Sequence, residues 1–294
     1  LTIFSWYDLP DTAVDVFAGR GSQGPMPVSD GKKMDLESES EVWEGIRRQA
    51  GLVAAVEPLL AARLLAWVVN APSPEAILAN VLGAKLGNVD LGASALAALC
   101  LSVYRDAPGL VAEATADIRA VMTRDPATLD ELTVVLSLKG FHALQAYRVC
   151  HALWNQGRRQ LALVLAQESA LTFGIDIHPG ARIATGIMLD HGTGIVIGET
   201  AVVCEDVSIL QGVTLGGTGK ESGDRHPKVG RGVLIGAGAK ILGNIQVGEF
   251  SKVAAGSVVL ADVPARTTVA GVPARVVRRH EAGPVPSFEM DQNI

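Results

Sequence analysis

The sequence predicts an α+β chain: an N-terminal all-α helical domain followed by a C-terminal left-handed parallel β-helix built of hexapeptide repeats. Two observations carry this prediction. Up to about Glu168 apolar residues return at three-to-four spacing, the period of a helix face, and beyond Ile175 they return at every sixth position. A third observation sets the scale. The 294 residues are 48% apolar, enough for one large core or two ordinary ones.

Residues 1–38 read as a flexible leader. Gly19 to Lys33 has the Gly, Ser and Pro content of a linker. Asp8, Asp11, Asp15, Asp30 and Asp35 are unlike the Arg-rich, acid-poor composition of a transit peptide, so no targeting signal is assigned. Residues 39–172 form the helical domain. Its longest apolar region, Leu52 to Val69, is interrupted by Glu57, Pro58 and Arg63, which argues against a membrane crossing. Ala71-Pro72-Ser73-Pro74 and Asp106-Ala107-Pro108-Gly109 each end one helix and start the next. After the second break, Val111, Ala114, Ile118, Val121 and Met122 mark a buried face, with Glu113, Asp117 and Arg119 assigned to the opposite side. Short connections between several such helices predict a compact bundle.

Residues 173–277 form the β-helix. Ile177, Ile183, Leu189, Ile195, Ala201, Val207 and Val213 hold the period of six, and Val229, Ile235, Ile241, Val247, Val253 and Val259 resume it. Each six-residue rung is one short strand and a turn with an aliphatic side chain pointing inward, and neighbouring glycines suit the tight corners. Hairpins would instead alternate at period two. From Val213 to Val229 the spacing is sixteen, so residues 215–228 leave the helix as a protruding, glycine-rich loop carrying Arg225 and His226. Lys220 and Lys228 in this loop read as ordinary surface residues. Residues 278–294 are a C-terminal tail.

A formal charge of −6 without a dense basic stripe excludes nucleic acid as a partner. Cys100, Cys150 and Cys204, widely spaced and without a CxxC pair, predict reduced core thiols in an intracellular compartment. His142, His151 and His178 read as structural.

Several segments together resemble the serine acetyltransferase family: Asp176-Ile177-His178-Pro179, Ile187-Met188-Leu189-Asp190-His191, Gly198-Glu199-Thr200-Ala201, Gly223-Asp224-Arg225-His226-Pro227-Lys228 and Ala270-Gly271-Val272-Pro273-Ala274. The likeness extends into the helical half through Arg124-Asp125-Pro126-Ala127 and the run from Lys139 to Arg148, and covers about Arg105 to Asp291. It implies transfer of an acetyl group from acetyl-CoA, as co-substrate, to the hydroxyl of L-serine, the first step of cysteine biosynthesis from serine, with no metal.

Attack of an alcohol on a thioester requires a base, and His191 is the candidate because imidazole titrates in the useful range. Asp176 lies fifteen residues earlier. If three hexapeptides make one coil, it falls on the adjacent coil, where a carboxylate could fix the imidazole tautomer. The amino-acid acceptor brings a carboxylate, for which the planar fork of Arg225 is suited. By resemblance, Asp125 and Asp190 receive the ammonium group and His226 lies against the reacting side of serine. Resemblance also places acetyl-CoA in a groove between neighbouring β-helices, where Gly216, Gly217, Ala237 and Ala255 would permit close approach. It further implies inhibition by L-cysteine, a homotrimer or hexamer (a dimer of trimers) with sites between chains, and a complex with O-acetylserine sulfhydrylase through the terminal Ile294. The expected compartment is the cytoplasm, or a plastid or mitochondrion for a processed plant-type form. Alternatives remain at this stage: a hexapeptide acetyltransferase acting on sugars or amines, a zinc-dependent β-helix carbonic anhydrase using His178, His191 and His226, and a non-catalytic scaffold. The histidine separations of thirteen and thirty-five argue against zinc.

Overall fold

Ser38 starts the first helix through a reciprocal cap: its hydroxyl accepts the Glu41 N–H while the Glu41 carboxylate accepts the Ser38 N–H. The computed structural model describes residues 38–219, 222–281 and 283–293. The leader through residue 37, its linker, Lys220 and Ile294 therefore lie outside the described residues. The helices run in order as α1 (Glu39–Val56), α2 (Pro58–Leu64, continued by a π-turn at Leu65–Val69), α3 (Pro74–Leu86), α4 (Ala93–Asp106), α5 (Gly109–Arg124), α6 (Glu131–Ser137), α7 (Lys139–Asn155) and α8 (Arg159–Phe173). Proline sets the breaks. Pro58 and Pro74 open α2 and α3, where the missing N–H costs no helical hydrogen bond, and Pro108 precedes α5. No single described helix is long and apolar enough to cross a membrane.

In α5, Val111, Ala114, Ile118 and Val121 are buried, as their spacing requires. Asp117 departs from expectation. It is fully buried rather than facing solvent, and accepts hydrogen bonds from Gln145 Nε2 (3.0 Å), Arg148 Nε (3.0 Å) and the Ile187 backbone N–H (3.0 Å). The polar face of α5 packs against α7 and the β-helix, so its carboxylate takes the place of water for groups on both. A helical period identifies two faces but does not say that the second is exposed.

The β-helix has three parallel faces. The first stacks Asp176–Ile177, Val196–Ile197, Thr214–Gly216, Lys240–Leu242 and Val258–Val259. The second stacks Arg182–Ile183, Val202–Val203, Lys228–Val229 and Gln246–Val247. The third stacks Met188–Asp190, Ser208–Leu210, Leu234–Ile235, Lys252–Val253 and Thr267–Gly271, and ends in an antiparallel strand at Ala274–Arg279, two residues past the expected boundary. Residues two apart, such as Ile195 and Ile197 or Ala201 and Val203, both point into the core.

That pairing corrects the period. Thr214 pairs with Val196, eighteen residues earlier, but Val196 pairs with Asp176, twenty residues earlier. The single six-residue frame from Ile177 through Leu189 to Ile195 thus crosses two inserted residues and moves from one inward column to the other. The insertion falls at the turn containing His191. A second, longer insertion separates Thr214 from its partner Lys240, twenty-six residues later, and is the loop between Gly216 and Lys228.

Helix α7 lies directly on the third face. A Cβ on Gly140 would come within 2.0 Å of the Leu189 carbonyl oxygen, so only glycine permits this approach. The tail folds back as α9 (Pro286–Glu289), with Ser287 buried and the Phe288 ring 4.5 Å from the Arg124 guanidinium. Cys100 and Cys150 are buried thiols, whereas Cys204 is only partly covered and is not a core residue.

Candidate active site

The inserted turn after the third-face strand Met188–Asp190 forms the first functional corner. His191 has φ +53°, a left-handed conformation unusual for a residue with a side chain, and Gly192 and Gly194 follow it with positive φ. The two extra residues force this tight reversal and push the imidazole outward; its side chain is 75% exposed. Lys139, the first residue of α7, donates to Thr193 Oγ1 and ties the turn to the helical domain.

A cavity of about 530 Å³ opens beside His191, with Asp125, Thr128, Lys139, Gly140 and Asp190 among its walls. Asp125 follows the last turn of α5. It is held by the Ala127 N–H (2.9 Å) and the Thr128 hydroxyl (2.6 Å). The residue before it, Arg124, is buried and donates to the Gly186 carbonyl (2.9 Å) and the Ser208 hydroxyl (3.2 Å) of the β-helix. Burial pushes Asp190 above the usual carboxylate range; the His191 ring opposes that shift and the nearby Asp125 adds to it. Two carboxylates sharing one pocket repel each other, and a cation between them relieves the repulsion.

Asp176 stands on the first face, exposed, paired with Val196. Among the described residues no hydrogen bond or ion pair joins it to His191. The carboxylate that faces His191 Nε2 is Asp190 Oδ1, at 4.0 Å.

The second functional corner lies at the other edge of the first face, where Gly198, Glu199 and Thr200 lead into the second. Arg225 donates to Glu199 Oε2 (2.8 Å) and to the Gly223 carbonyl (3.1 Å). This bond holds the Glu199 carboxyl below its ordinary value. The His226 ring lies so close over Gly198 that a Cβ there would be 2.1 Å from Nε2. Burial first, and then Arg225, lowers the His226 pKa. Lys228 is not an idle surface residue: its ammonium group donates to the Thr200 carbonyl (3.2 Å), Asp224 (2.6 Å), the His226 carbonyl (2.6 Å) and Asn244 (3.1 Å), closing the base of the loop.

The small residues expected along the cofactor divide between the two corners. Ala237 and Ala255 lie on the His191 corner, below Gly212, where the Gly256 N–H bonds to the Ala237 carbonyl (2.8 Å). Gly216 and Gly217 lie at the other edge, and a Cβ on Gly217 would be 3.3 Å from Arg225 Cγ. Among the described residues no three His, Cys, Asp or Glu side chains are grouped to hold a metal ion. His142 Nε2 donates to the Val135 carbonyl (2.8 Å), His151 Nδ1 donates to the Pro179 carbonyl (2.7 Å), and His178 Nδ1 accepts the Gly180 N–H (3.0 Å), which are structural contacts.

Residues 42–146 match the model of the serine acetyltransferase N-terminal domain, and residues 226–261 match the bacterial transferase hexapeptide model of six repeats. Over 89% of this chain and 95% of its own length, a serine acetyltransferase of Escherichia coli strain K12 is 52% identical. The chain belongs to the serine acetyltransferase family. Among solved structures, a serine acetyltransferase in complex with cysteine superposes with TM-score 0.85 at 50% identity, covering 87% of this chain and all of that one. A serine acetyltransferase in complex with CoA superposes with TM-score 0.78 at 50% identity, covering 82% of this chain and all of the other. The family's helical and hexapeptide parts are thus both present, joined through Asp117, Arg124, Gly140 and Arg148. The sequence reading did not single out these four contacts, since the buried polar partners of a helix carry no periodic signal.

Proposed function

We infer that this chain is a serine O-acetyltransferase, which moves the acetyl group of acetyl-CoA to the hydroxyl of L-serine and yields O-acetyl-L-serine and CoA. The observation that carries the reading is the convergence of Asp125 and Asp190 beside the exposed His191, an ammonium-binding pocket next to a base.

In the proposed reaction His191 takes the proton of the serine hydroxyl as the oxygen attacks the thioester carbonyl. The tetrahedral adduct then collapses, the carbon–sulfur bond breaks, and the imidazolium returns the proton to the CoA thiolate. Asp176 is proposed to orient the ring, with Asp190 stabilising the imidazolium from 4.0 Å. Arg225 holds the substrate carboxylate through its fork and His226 lies against the reacting side of the substrate. Ala237 and Ala255, with no more than a methyl group, and Gly216 and Gly217, with no side chain, offer accessible backbone to the long acetyl-CoA molecule. L-cysteine presents the same carboxylate and ammonium groups as L-serine, which supports its role as a competing inhibitor.

The complete site is proposed to form between chains. The His191 turn and the Arg225–His226 loop occupy opposite edges of one face, so a second copy is required to bring the substrate's two charge receptors together. A trimer of β-helices supplies that arrangement. Exposed Leu52, Val56, Leu59 and Leu65 on α1, α2 and the π-turn offer an apolar surface through which two trimers would join as a hexamer. O-acetylserine sulfhydrylase is the proposed partner of the C-terminal tail, and the cytoplasm the proposed compartment, which suits three unpaired cysteines. Release of CoA measured with L-serine, with a panel of sugars and amines, and with added L-cysteine tests the reading. Serine-dependent release suppressed by cysteine is expected; release with a sugar or amine instead would overturn it.

A further inference from the structure

The Thr200 hydroxyl is surrounded in a way that nothing in the proposed reaction uses. It accepts the backbone N–H groups of Arg225 (3.0 Å) and His226 (3.1 Å), and it lies 2.9 Å from His226 Nδ1. A hydroxyl has one proton and two acceptor sites. With both acceptor sites taken by N–H groups, its proton is left to Nδ1 and to the Asp224 carboxylate, which the Thr200 side chain also reaches. The Thr200 backbone N–H also donates to Nδ1, at 3.2 Å. Nδ1 therefore faces a backbone N–H that can only donate and carries no proton, which leaves the single ring proton of neutral His226 on Nε2, with the Thr200 hydroxyl beside it. Glu199, the preceding residue, fixes the Arg225 guanidinium from the same corner.

We propose that Thr200 is a positioning residue that sets His226 in the Nε2–H tautomer and so makes it a hydrogen-bond donor to substrate oxygen rather than a second base, with Glu199 as a weaker anchor for Arg225. The proposal rests on the assignment of Arg225 and His226 to the serine site. A donor at this place complements His191: one imidazole removes a proton while the other supplies a hydrogen bond. The charged and titratable groups facing His226 are Arg225 and Lys228 on its own loop, Glu199 at the end of the first-face strand, and His178 on the coil above. None of them contacts Nδ1, whose hydrogen-bond partners are both on Thr200.

The test uses the full-length oligomer and begins with Arg225→Ala and His226→Asn. If neither alters use of L-serine relative to L-serinamide, which lacks the carboxylate, the assignment of the loop to the serine site fails. If they do alter it, Thr200→Val and Thr200→Ser decide the present proposal. Thr200→Val keeps the branched shape but loses the hydroxyl; kcat/KM for L-serine should fall about tenfold, the effect of one lost hydrogen bond to a group whose charge matters. The acid limb of the kcat/KM profile should also move to higher pH, because Nδ1 then accepts a proton more readily. Thr200→Ser should restore both. An unshifted acid limb in Thr200→Val, or a serine variant no better than valine, would overturn the proposal. Glu199→Gln should raise KM for L-serine about two- to fourfold while leaving KM for L-serinamide in place, as befits a half-exposed ion pair; a fall in KM for L-serine would mean that Glu199 competes with the substrate instead. If Thr200→Val does not assemble, the Thr200→Ser and Glu199→Gln profiles carry the decision, since the first must match the parent and the second must split the two substrates.

Discussion

The two corners that bound the first face of the β-helix are made in opposite ways. At the His191 corner two inserted residues produce a strained turn, and the helical domain buttresses it through Gly140, Lys139 and Asp125. At the Thr200 corner the coil itself stays regular, and the inserted loop from the following coil folds down onto it through side-chain hydrogen bonds. The first corner is rigid because another domain presses on it. The second is held by polar contacts, which are individually weak and exposed to substitution. A base must be aimed to within a fraction of an ångström, whereas a loop that closes around a substrate can be held more loosely.

Substitutions that separate the corners should therefore differ in size. His191→Ala removes the proposed base outright, and turnover is expected to fall by roughly two to four orders of magnitude with the oligomer intact; steady-state kinetics with sedimentation analysis measures both. Near-normal turnover would remove the distinction between the corners. Arg225→Ala, at the other corner, should lower kcat/KM for L-serine by about ten- to a hundredfold, the range of a lost hydrogen bond between charged groups. A change confined to the acetyl-CoA dependence would place Arg225 in another role.

Gly140→Ala probes the buttress. The new methyl group would sit 2.0 Å from the Leu189 oxygen, so α7 must move off the third face, at a cost of about 1–3 kcal/mol as for other overpacked sites. Thermal unfolding measures the loss, and a parallel loss of activity is expected because Leu189 immediately precedes Asp190 and His191. The equivalent insult at the loop, Lys228→Ala, should leave unfolding temperature nearly unchanged.

The smallest expected effect is one of pH. Burial lowers the His142 pKa from its ordinary value to about 4, and the Val135 carbonyl that it bonds only partly opposes this. The unfolded chain then binds a proton below about pH 6.5 that the folded chain refuses until about pH 4. Stability supplied by this group is present above pH 6.5 and is lost as pH falls through that window, by about 1 kcal/mol per pH unit. Denaturant titrations at pH 6 and pH 5 should show the slope, and His142→Gln should flatten it. Since α7 packs on the His191 turn through Gly140 and on the coil above the Thr200 corner through Tyr147 and His151, acid should weaken the support of both.

Much of this was legible in the residues. Proline positions predicted where α3 and α5 begin, and the inward columns of the β-helix were visible because a repeat cannot bury its aliphatic side chain without stacking on its neighbours. The family motifs drew attention to Asp125, Asp190, His191, Arg225 and His226. The frame error at Leu189 to Ile195 shows the limit. A shift between two inward columns leaves the apolar spacing intact, so only strand pairing reveals the inserted turn. Asp117 shows another limit, since a carboxylate on the far side of an amphipathic helix looks solvated until a second domain covers it.

By itself, then, the sequence determined the two periods, the break between them and the chemical types gathered at the site, because these depend on local spacing and composition. Tertiary structure alone decided that His191 occupies an inserted turn, that Asp190 Oδ1 comes within 4.0 Å of its Nε2, and that Thr200 meets His226 Nδ1. Those are contacts between residues distant along the chain or turns whose strain is sustained by packing, and nothing in the spacing of residue types encodes which donor meets which acceptor.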